Sequence, residues 1–136
     1  MYSAEDFERI AREDVPYVGQ LGLKFEQIDG DLMVVRLPFQ DDMIRPGGTI
    51  SGPVMMGVAD FTLYAMVLVR QPDAVQSVTA SLTANFLRRP KPVDLMFEGK
   101  LLKIGRRLAM GEVTVYSSGD HERVCKINVN YAISIV

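Results

Sequence analysis

The sequence has few of the residues that most catalytic and metal-binding sites use. It contains one cysteine, Cys125, one histidine, His121, and no tryptophan among 136 residues. A single cysteine forms neither an intramolecular disulfide nor a zinc cluster. A single histidine in the polar segment "SSGDHER" argues against a Ser-His-Asp or Cys-His site. We therefore predict that His121 is a solvated loop residue, that Cys125 is a small core residue, and that no metal is bound.

The charge balance and the apolar runs argue against two further classes of protein. Lysine and arginine number 15 against 17 acids, so the net charge is −2 and no basic surplus exists to bind nucleic acid. The longest apolar stretch, residues 54–69, contains an acid and falls short of the ~20 residues that a membrane span needs. The start, "MYSAEDFERIAREDV", lacks the apolar core of a signal peptide. We expect one cytoplasmic domain over residues 1–136, without nucleic-acid or membrane partners.

The first half of the chain predicts two helices around a hairpin. Within residues 1–17, a short helix over 3–14 has a capping box at its start. The runs "LGLKFEQI" and "DLMVVRLPF" are joined by Asp29-Gly30, which is a hairpin signal. A long helix over 53–69 follows, with proline in its first position and Ser51 or Gly52 as its cap.

The second half predicts three or four antiparallel strands. In "SVTASLTANFLR" every second residue is apolar, which places Thr79 on the polar side with Ser81. A later strand, "RLAMGEVTVYSS", slips in phase near Gly111, which we interpret as a bulge. The last strand, "RVCKINVNYAISIV", has an apolar face that runs from Cys125 to Ile135.

The long helix decides the fold class. It is apolar on every side, so it must be covered all round. Five or six strands with one apolar face each provide that cover if the antiparallel sheet curls around the helix, an α+β arrangement. A sheet this small does not enclose ~25 Å of helix alone, so we expect a dimer.

Asp60 is the candidate functional residue of that helix, because a lone buried acid is costly unless it is paired or has a task. The helix start offers unpaired N–H groups to a developing oxyanion, and Gly52 allows a carbonyl to approach closely. Gly52 and Asp60 are separated by roughly 12 Å of helix. One carbonyl reaches both only if the carboxylate comes from a second subunit.

Residues 45–60, "RPGGTISGPVMMGVAD", resemble the hotdog-fold acyl-CoA thioesterases, specifically the PaaI-like group. That group's pattern is approximately N-P-x-G-x-x-H-G-G, five or so apolar positions and then D, and the register from Pro46 to Asp60 is kept without a gap. "TASLTANFLRRP" and "GKLLKIGRRLAMGEVTVY" are similar to later strands of the family. The resemblance implies a hotdog fold, in which a curled antiparallel sheet wraps around a long central helix.

The resemblance also implies roles for site residues. The thioester carbonyl accepts from Gly52, and Asp60 of the other subunit acts as nucleophile or general base. Thr79 assists the water or the carboxylate, with an ordinary polar strand position as the alternative. Four arginines are candidates for the coenzyme A phosphates, although each is also an ordinary strand-end charge: Arg88, Arg89, Arg106 and Arg107.

Three positions depart from the family pattern. Arg45 replaces the asparagine, Ser51 the histidine and Pro53 the second glycine. Arg45 is expected to pair with the carboxylate or to contact an anionic substrate, and Ser51 also belongs to the candidate substrate-binding set. Pro53 removes one N–H group but leaves that of Gly52.

The expected activity is hydrolysis of an acyl-CoA by a homodimer or homotetramer, with no cofactor beyond the coenzyme A of the substrate. A non-catalytic acyl-CoA-binding hotdog module is the alternative, and it would not need Asp60. Hydratase chemistry ranks lower, because it normally uses a site histidine. The acyl group stays open.

Overall fold

The computed structural model describes residues 1–41, 44–45 and 49–135, and for Pro16, Ile44, Arg45 and Thr49 it describes the backbone alone. Its helices are α1 (Ala4–Asp14), α2 (Pro16–Gly19) and α3 (Gly52–Arg70). The long strands are β1 (Lys24–Ile28), β2 (Leu32–Leu37), β5 (Val78–Phe86), β6 (Leu95–Ile104), β7 (Leu108–Ser117) and β8 (Arg123–Ala132). Two short strands, β3 (Ile44–Arg45) and β4 (Thr49–Ile50), pair with each other before α3.

The local signals of the first half are found where the sequence predicts them. Ser3 caps α1, and its side chain and that of Asp6 form the reciprocal capping box. β1 and β2 pair antiparallel around the predicted turn at Asp29 and Gly30. Ser51 caps α3, where its side chain accepts a hydrogen bond from the N–H of Val54 at 3.4 Å.

The long strands form one antiparallel sheet of six in the order β1-β2-β6-β7-β8-β5. This confirms the predicted α+β arrangement of a sheet around a central helix. β5 therefore lies at an edge, and most of its residues are exposed. The last strand ends earlier than the alternation predicts, because β8 stops at Ala132 and leaves Ile135 exposed.

Two glycines of the sheet allow α3 to pack closely against it. A Cβ at Gly99 would lie 2.8 Å from Met66 Sδ, and a Cβ at Gly111 would lie against Leu63 Cδ1. The phase slip predicted near Gly111 is wrong for β7 itself, which keeps its alternation through this residue, although an irregularity lies directly opposite it. The register shift lies in the paired strand β6, between Leu101 and Lys103. A residue without a side chain resembles a phase slip in the sequence, but here it makes room for the helix.

α3 is buried except along one stripe. Its length and mean hydropathy of 1.6 would suit a membrane span, but the helix is the core against which the sheet packs. The partly exposed residues of its middle lie on one face, because Asp60 is three or four positions from each of the others: Met56, Gly57 and Tyr64. Asp60 therefore faces the side of α3 that the sheet leaves open.

Candidate active site

The carboxylate of Asp60 accepts hydrogen bonds from two hydroxyl groups, and both bind the same oxygen. Thr79 Oγ1 donates to Oδ1 at 2.6 Å, and the phenol of Tyr131 donates to Oδ1 at 3.0 Å. The three side chains come from α3, β5 and β8. The structure thus brings Asp60 and Thr79 together, as the resemblance implies, and adds Tyr131.

Tyr131 is the residue of this candidate site that the sequence reasoning missed. The alternation of β8 places it among the aliphatic residues of the apolar face, and it is indeed only 4% exposed. Burial, and secondarily the charge of Asp60, raises the pKa of its phenol far above the ordinary value, so the group is protonated and able to donate. The sequence signal that could have identified Tyr131 was its hydroxyl group, which lies near the end of an otherwise aliphatic face of β8.

A β-bulge brings Thr79 to Asp60. Thr79 pairs with Tyr131, but the next pair is Ser81 with Asn130, so Ala80 is an extra residue in β5. Strict alternation predicts that Thr79 and Ser81 share a face. The bulge separates them and turns Thr79 to the face of its directly opposite neighbour, Tyr131. The predicted polar-face position of Thr79 is therefore wrong, because alternation does not reveal an inserted residue.

Asp60, Thr79 and Tyr131 line a cavity of about 770 Å³. Its other walls come from α1, α2, α3 and the segment before β5. They are mainly apolar and aromatic, and include Ile10, Val15, Tyr17, Val18, Phe61, Tyr64, Leu68 and Val75. A carboxylate in such surroundings fits a reacting group beside the apolar part of a substrate.

The predicted oxyanion donor lies in a second cavity, of about 510 Å³. Gly52 lines it together with Arg88 and Arg89, and a Cβ at Gly52 would lie 3.1 Å from Phe86 Cζ. Arg88 is paired with Glu122 at 3.0 Å. Within one chain the structure therefore groups Gly52 with two of the predicted phosphate-binding arginines, but not with Asp60.

The remaining candidates lie elsewhere. Arg106 and Arg107 are exposed at the turn between β6 and β7, where with Lys103 they line a third cavity. The Ser51 side chain caps α3. The side chain of Arg45 is outside the described residues, so its predicted contacts with carboxylate or substrate stay predictions.

The two residue types that are rare in the sequence lie where it predicts them. His121 is exposed after the turn that follows β7. Cys125 is fully buried, and burial raises the pKa of its thiol to about 11. Among the described residues, no group of three or more His, Cys, Asp or Glu side chains has a geometry that would hold a metal ion.

Comparisons with known proteins define the family. The sequence model of the Thioesterase superfamily matches residues 47–124, more than half of the chain, and the protein belongs to this superfamily. A candidate esterase of Saccharolobus solfataricus is 28% identical over 103 residues, which cover 74% of this chain and 67% of that protein. The family and these relatives make the protein a thioester hydrolase of the hotdog fold.

Solved structures are similar over nearly the whole chain. A candidate thioesterase of Silicibacter sp. TM1040 has a TM-score of 0.85 and 29% identity, covering 98% of this chain and 93% of that one. A mutant thioesterase of Pseudomonas aeruginosa has a TM-score of 0.87 at 15% identity, with coverages of 100% and 96%. The second similarity concerns the fold alone.

Proposed function

We propose that the protein hydrolyses an acyl-CoA to the free acid and coenzyme A, at a site completed by two subunits. One observation carries the proposal: a carboxylate, Asp60, is held by two hydroxyl donors in the wall of a largely apolar cavity. The cavity suits an acyl chain, and the carboxylate provides the base or nucleophile that thioester hydrolysis needs.

The reaction balances by either of two routes. As a general base, Asp60 takes a proton from water while the water oxygen bonds to the carbonyl carbon. The C–S bond then breaks, and its electron pair leaves with the sulfur, which is protonated. As a nucleophile, an oxygen of Asp60 bonds to the carbonyl carbon and expels the thiolate, and water then hydrolyses the mixed anhydride. In both routes negative charge develops on the carbonyl oxygen, which needs a donor.

The shared site is supported by the positions of the two cavities along β5. Thr79, beside Asp60, lies near the start of this edge strand, and Phe86, beside Gly52, is its last residue. A two-fold antiparallel pairing of two β5 strands centred on Leu82 would place Thr79 opposite Asn85 of the partner subunit. The Asp60 cavity of one subunit would then adjoin the Gly52 cavity of the other.

The positive charge of two arginines also supports the proposal that the substrate contains coenzyme A. Arg88 and Arg89 line the Gly52 cavity, and arginine binds phosphate through two parallel hydrogen bonds. In the two-fold arrangement they lie on the side of the carbonyl donor, away from the apolar cavity that takes the acyl chain.

The first experiment measures thiol release from a panel of acyl-CoAs by the wild type and by Asp60→Asn. We expect release by the wild type and a loss of at least 100-fold in the variant, because the amide neither takes a proton nor attacks. Binding of acyl-CoA without release by either protein would contradict hydrolysis and favour the binding module.

A pair of variants tests the oxyanion donor. Gly52→Pro removes the N–H, while Gly52→Ala keeps it, and both add a Cβ near Phe86. The Ser51 backbone, at ψ 148°, already has the conformation that precedes proline. We expect Gly52→Pro to lower kcat much more than Gly52→Ala. Equal losses would mean that crowding, rather than the missing donor, is responsible.

Mixing inactive subunits tests whether the site is shared. Asp60→Asn removes the carboxylate and Gly52→Pro removes the oxyanion donor. In a mixed dimer, one site therefore combines an intact Asp60 from one subunit with an intact Gly52 from the other. After subunit exchange at equal concentrations, we expect about a quarter of the wild-type activity. No recovery, with exchange verified by mass, would contradict a shared site.

A further inference from the structure

We propose that Tyr131 is a positioning residue of the reaction: its phenol and the hydroxyl of Thr79 hold one oxygen of Asp60, so that the other oxygen meets the substrate. The inference rests on the proposed function, because it assigns the carboxylate of Asp60 to the chemistry. It concerns the two carboxylate oxygens of Asp60, Oδ1 and Oδ2, because the two hydroxyl groups make their hydrogen bonding unequal.

The hydrogen bonds define which oxygen is held. Thr79 Oγ1 and the Tyr131 phenol both donate to Oδ1, at 2.6 and 3.0 Å. No described residue has a hydrogen bond to Oδ2. An oxygen that accepts two hydrogen bonds is less basic than one that accepts none. Oδ2 is therefore the better proton acceptor and nucleophile.

The Tyr131 phenol donates its hydrogen bond to the Asp60 carboxylate rather than to the Asp60 backbone carbonyl. Tyr131 also lies within 3.2 Å of the Asp60 carbonyl oxygen, but one proton makes one strong hydrogen bond at a time. The carboxylate oxygen is nearer and charged, and charge-assisted hydrogen bonds are about twice as strong as neutral ones.

The fold holds Tyr131 in place. β8 lies between β7 and the edge strand β5, and Tyr131 is paired with residues of both neighbours, Ala109 and Thr79. Its ring centroid lies 6.0 Å from that of Tyr64. The ring is buried in the core, so it fixes χ1 and χ2 of Asp60 more firmly than an exposed donor would.

The deciding variant is Tyr131→Phe, which keeps the ring and removes the donor. We expect kcat to fall about 10- to 100-fold, the range for loss of a hydrogen bond to a charged group. KM should stay within about threefold, and the loss in kcat should be similar for every acyl group of the panel, because Tyr131 acts through Asp60. Tyr2→Phe is the matched control, since its phenol donates to the Pro72 carbonyl at 3.1 Å, outside the cavity.

A double-mutant cycle adds a second readout. The donors of Tyr131 and Thr79 share one oxygen, so the losses in kcat from Tyr131→Phe and Thr79→Val should be non-additive. Strict additivity would overturn the inference, as would an unchanged kcat in Tyr131→Phe. A melting temperature lowered in step with kcat, or a raised KM that depends on acyl length, would assign Tyr131 a structural or cavity-shaping role instead.

The failure of this inference differs from failure of the proposed function. A wild type that releases no thiol from any acyl-CoA overturns both. An active wild type, an inactive Asp60→Asn and a fully active Tyr131→Phe overturn the role of Tyr131 alone.

Discussion

The hydroxyl of Thr79 makes the shorter of the two hydrogen bonds to Asp60, at 2.6 Å, from a position that is more exposed than that of Tyr131. Its value to the site lies in the hydroxyl rather than in packing, because β5 is an edge strand. The two donors are therefore held in different ways. Packing in the core fixes Tyr131, whereas the backbone of the edge strand β5 positions Thr79.

This difference predicts how substitutions of Thr79 behave. Thr79→Val keeps the shape but loses the donor, so kcat should fall about 10-fold while the melting temperature changes little. Thr79→Ser keeps the hydroxyl and should retain most of the activity. Steady-state kinetics beside thermal melts measure both effects, and equal losses in the two variants would argue against the hydrogen bond.

Cys125 predicts a pH effect on stability. Burial raises its pKa from 9.0 to about 11 in the folded protein. Between these values the unfolded chain has lost the thiol proton and the folded one retains it, so stability falls as pH rises. Urea unfolding at pH 8 and pH 10.5 measures this fall, which should be smaller in Cys125→Ala. An equal fall in the variant would assign it to other groups, such as Tyr131.

At the scale of secondary structure, α3 lies close to the sheet because Gly99 and Gly111 have no side chains. The contact at Gly111 is the tighter one: an added Cβ would meet both Leu63 Cδ1 and, at 3.0 Å, the Lys100 carbonyl oxygen. The Leu63 side chain can move only within the packed core, and the Lys100 carbonyl belongs to the paired strand β6.

Gly111→Ala should therefore destabilise the fold by about 1–3 kcal/mol. The matched control is Gly30→Ala in the hairpin turn, where an added Cβ meets nothing within 4 Å. Chemical unfolding of both variants compares the two positions. An unaffected Gly111→Ala would show that the helix can shift away from the sheet at no cost.

The elements that depend on neighbours in sequence are predictable. The capping box at Ser3 and Asp6, the hairpin at Asp29-Gly30 and the cap at Ser51 each need only a few adjacent residues. The curled sheet follows from an apolar helix that needs cover. These local signals account for most of the fold.

The site is less predictable because two of its features depend on tertiary structure. The bulge at Ala80 shows only in the pairing of β5 with β8, and it decides which way Thr79 points. Tyr131 reaches Asp60 across 71 positions of sequence. Alternation assigns it to the core, which is correct, but says nothing about its phenol.

For the whole molecule, the exposed edge is the feature that most needs a partner. β5 presents Val78 and Phe86, which are 60% and 50% exposed, and the open stripe of α3 lies beside it. Unpaired edges of this length are normally covered or charged. A second copy, paired as proposed, would cover both strand and stripe.

Placing a charge on this edge should separate the subunits. Thr83 is exposed near the middle of β5, so Thr83→Lys would bring like charges together across a two-fold seam. We expect a monomer in size exclusion with little activity. Asn128→Lys, directly opposite Thr83 on β8, is the control and should stay dimeric. A Thr83→Lys dimer with full activity would contradict the pairing.

The nine residues of β5 also fix a distance between the two ends of the strand. If two such strands pair in opposite directions, the distance between their two ends sets how far each carboxylate stands from its partner's oxyanion donor. Deleting two residues from the middle keeps every side chain on its face but shortens the strand by roughly 6–7 Å. Within each chain, the deletion would move Thr79 relative to Asp60 or Phe86 relative to Gly52, and across the proposed dimer the two halves of the site would no longer meet at one carbonyl. In the proposed dimer, the length of this strand would therefore matter to the site as much as the side chains at its ends.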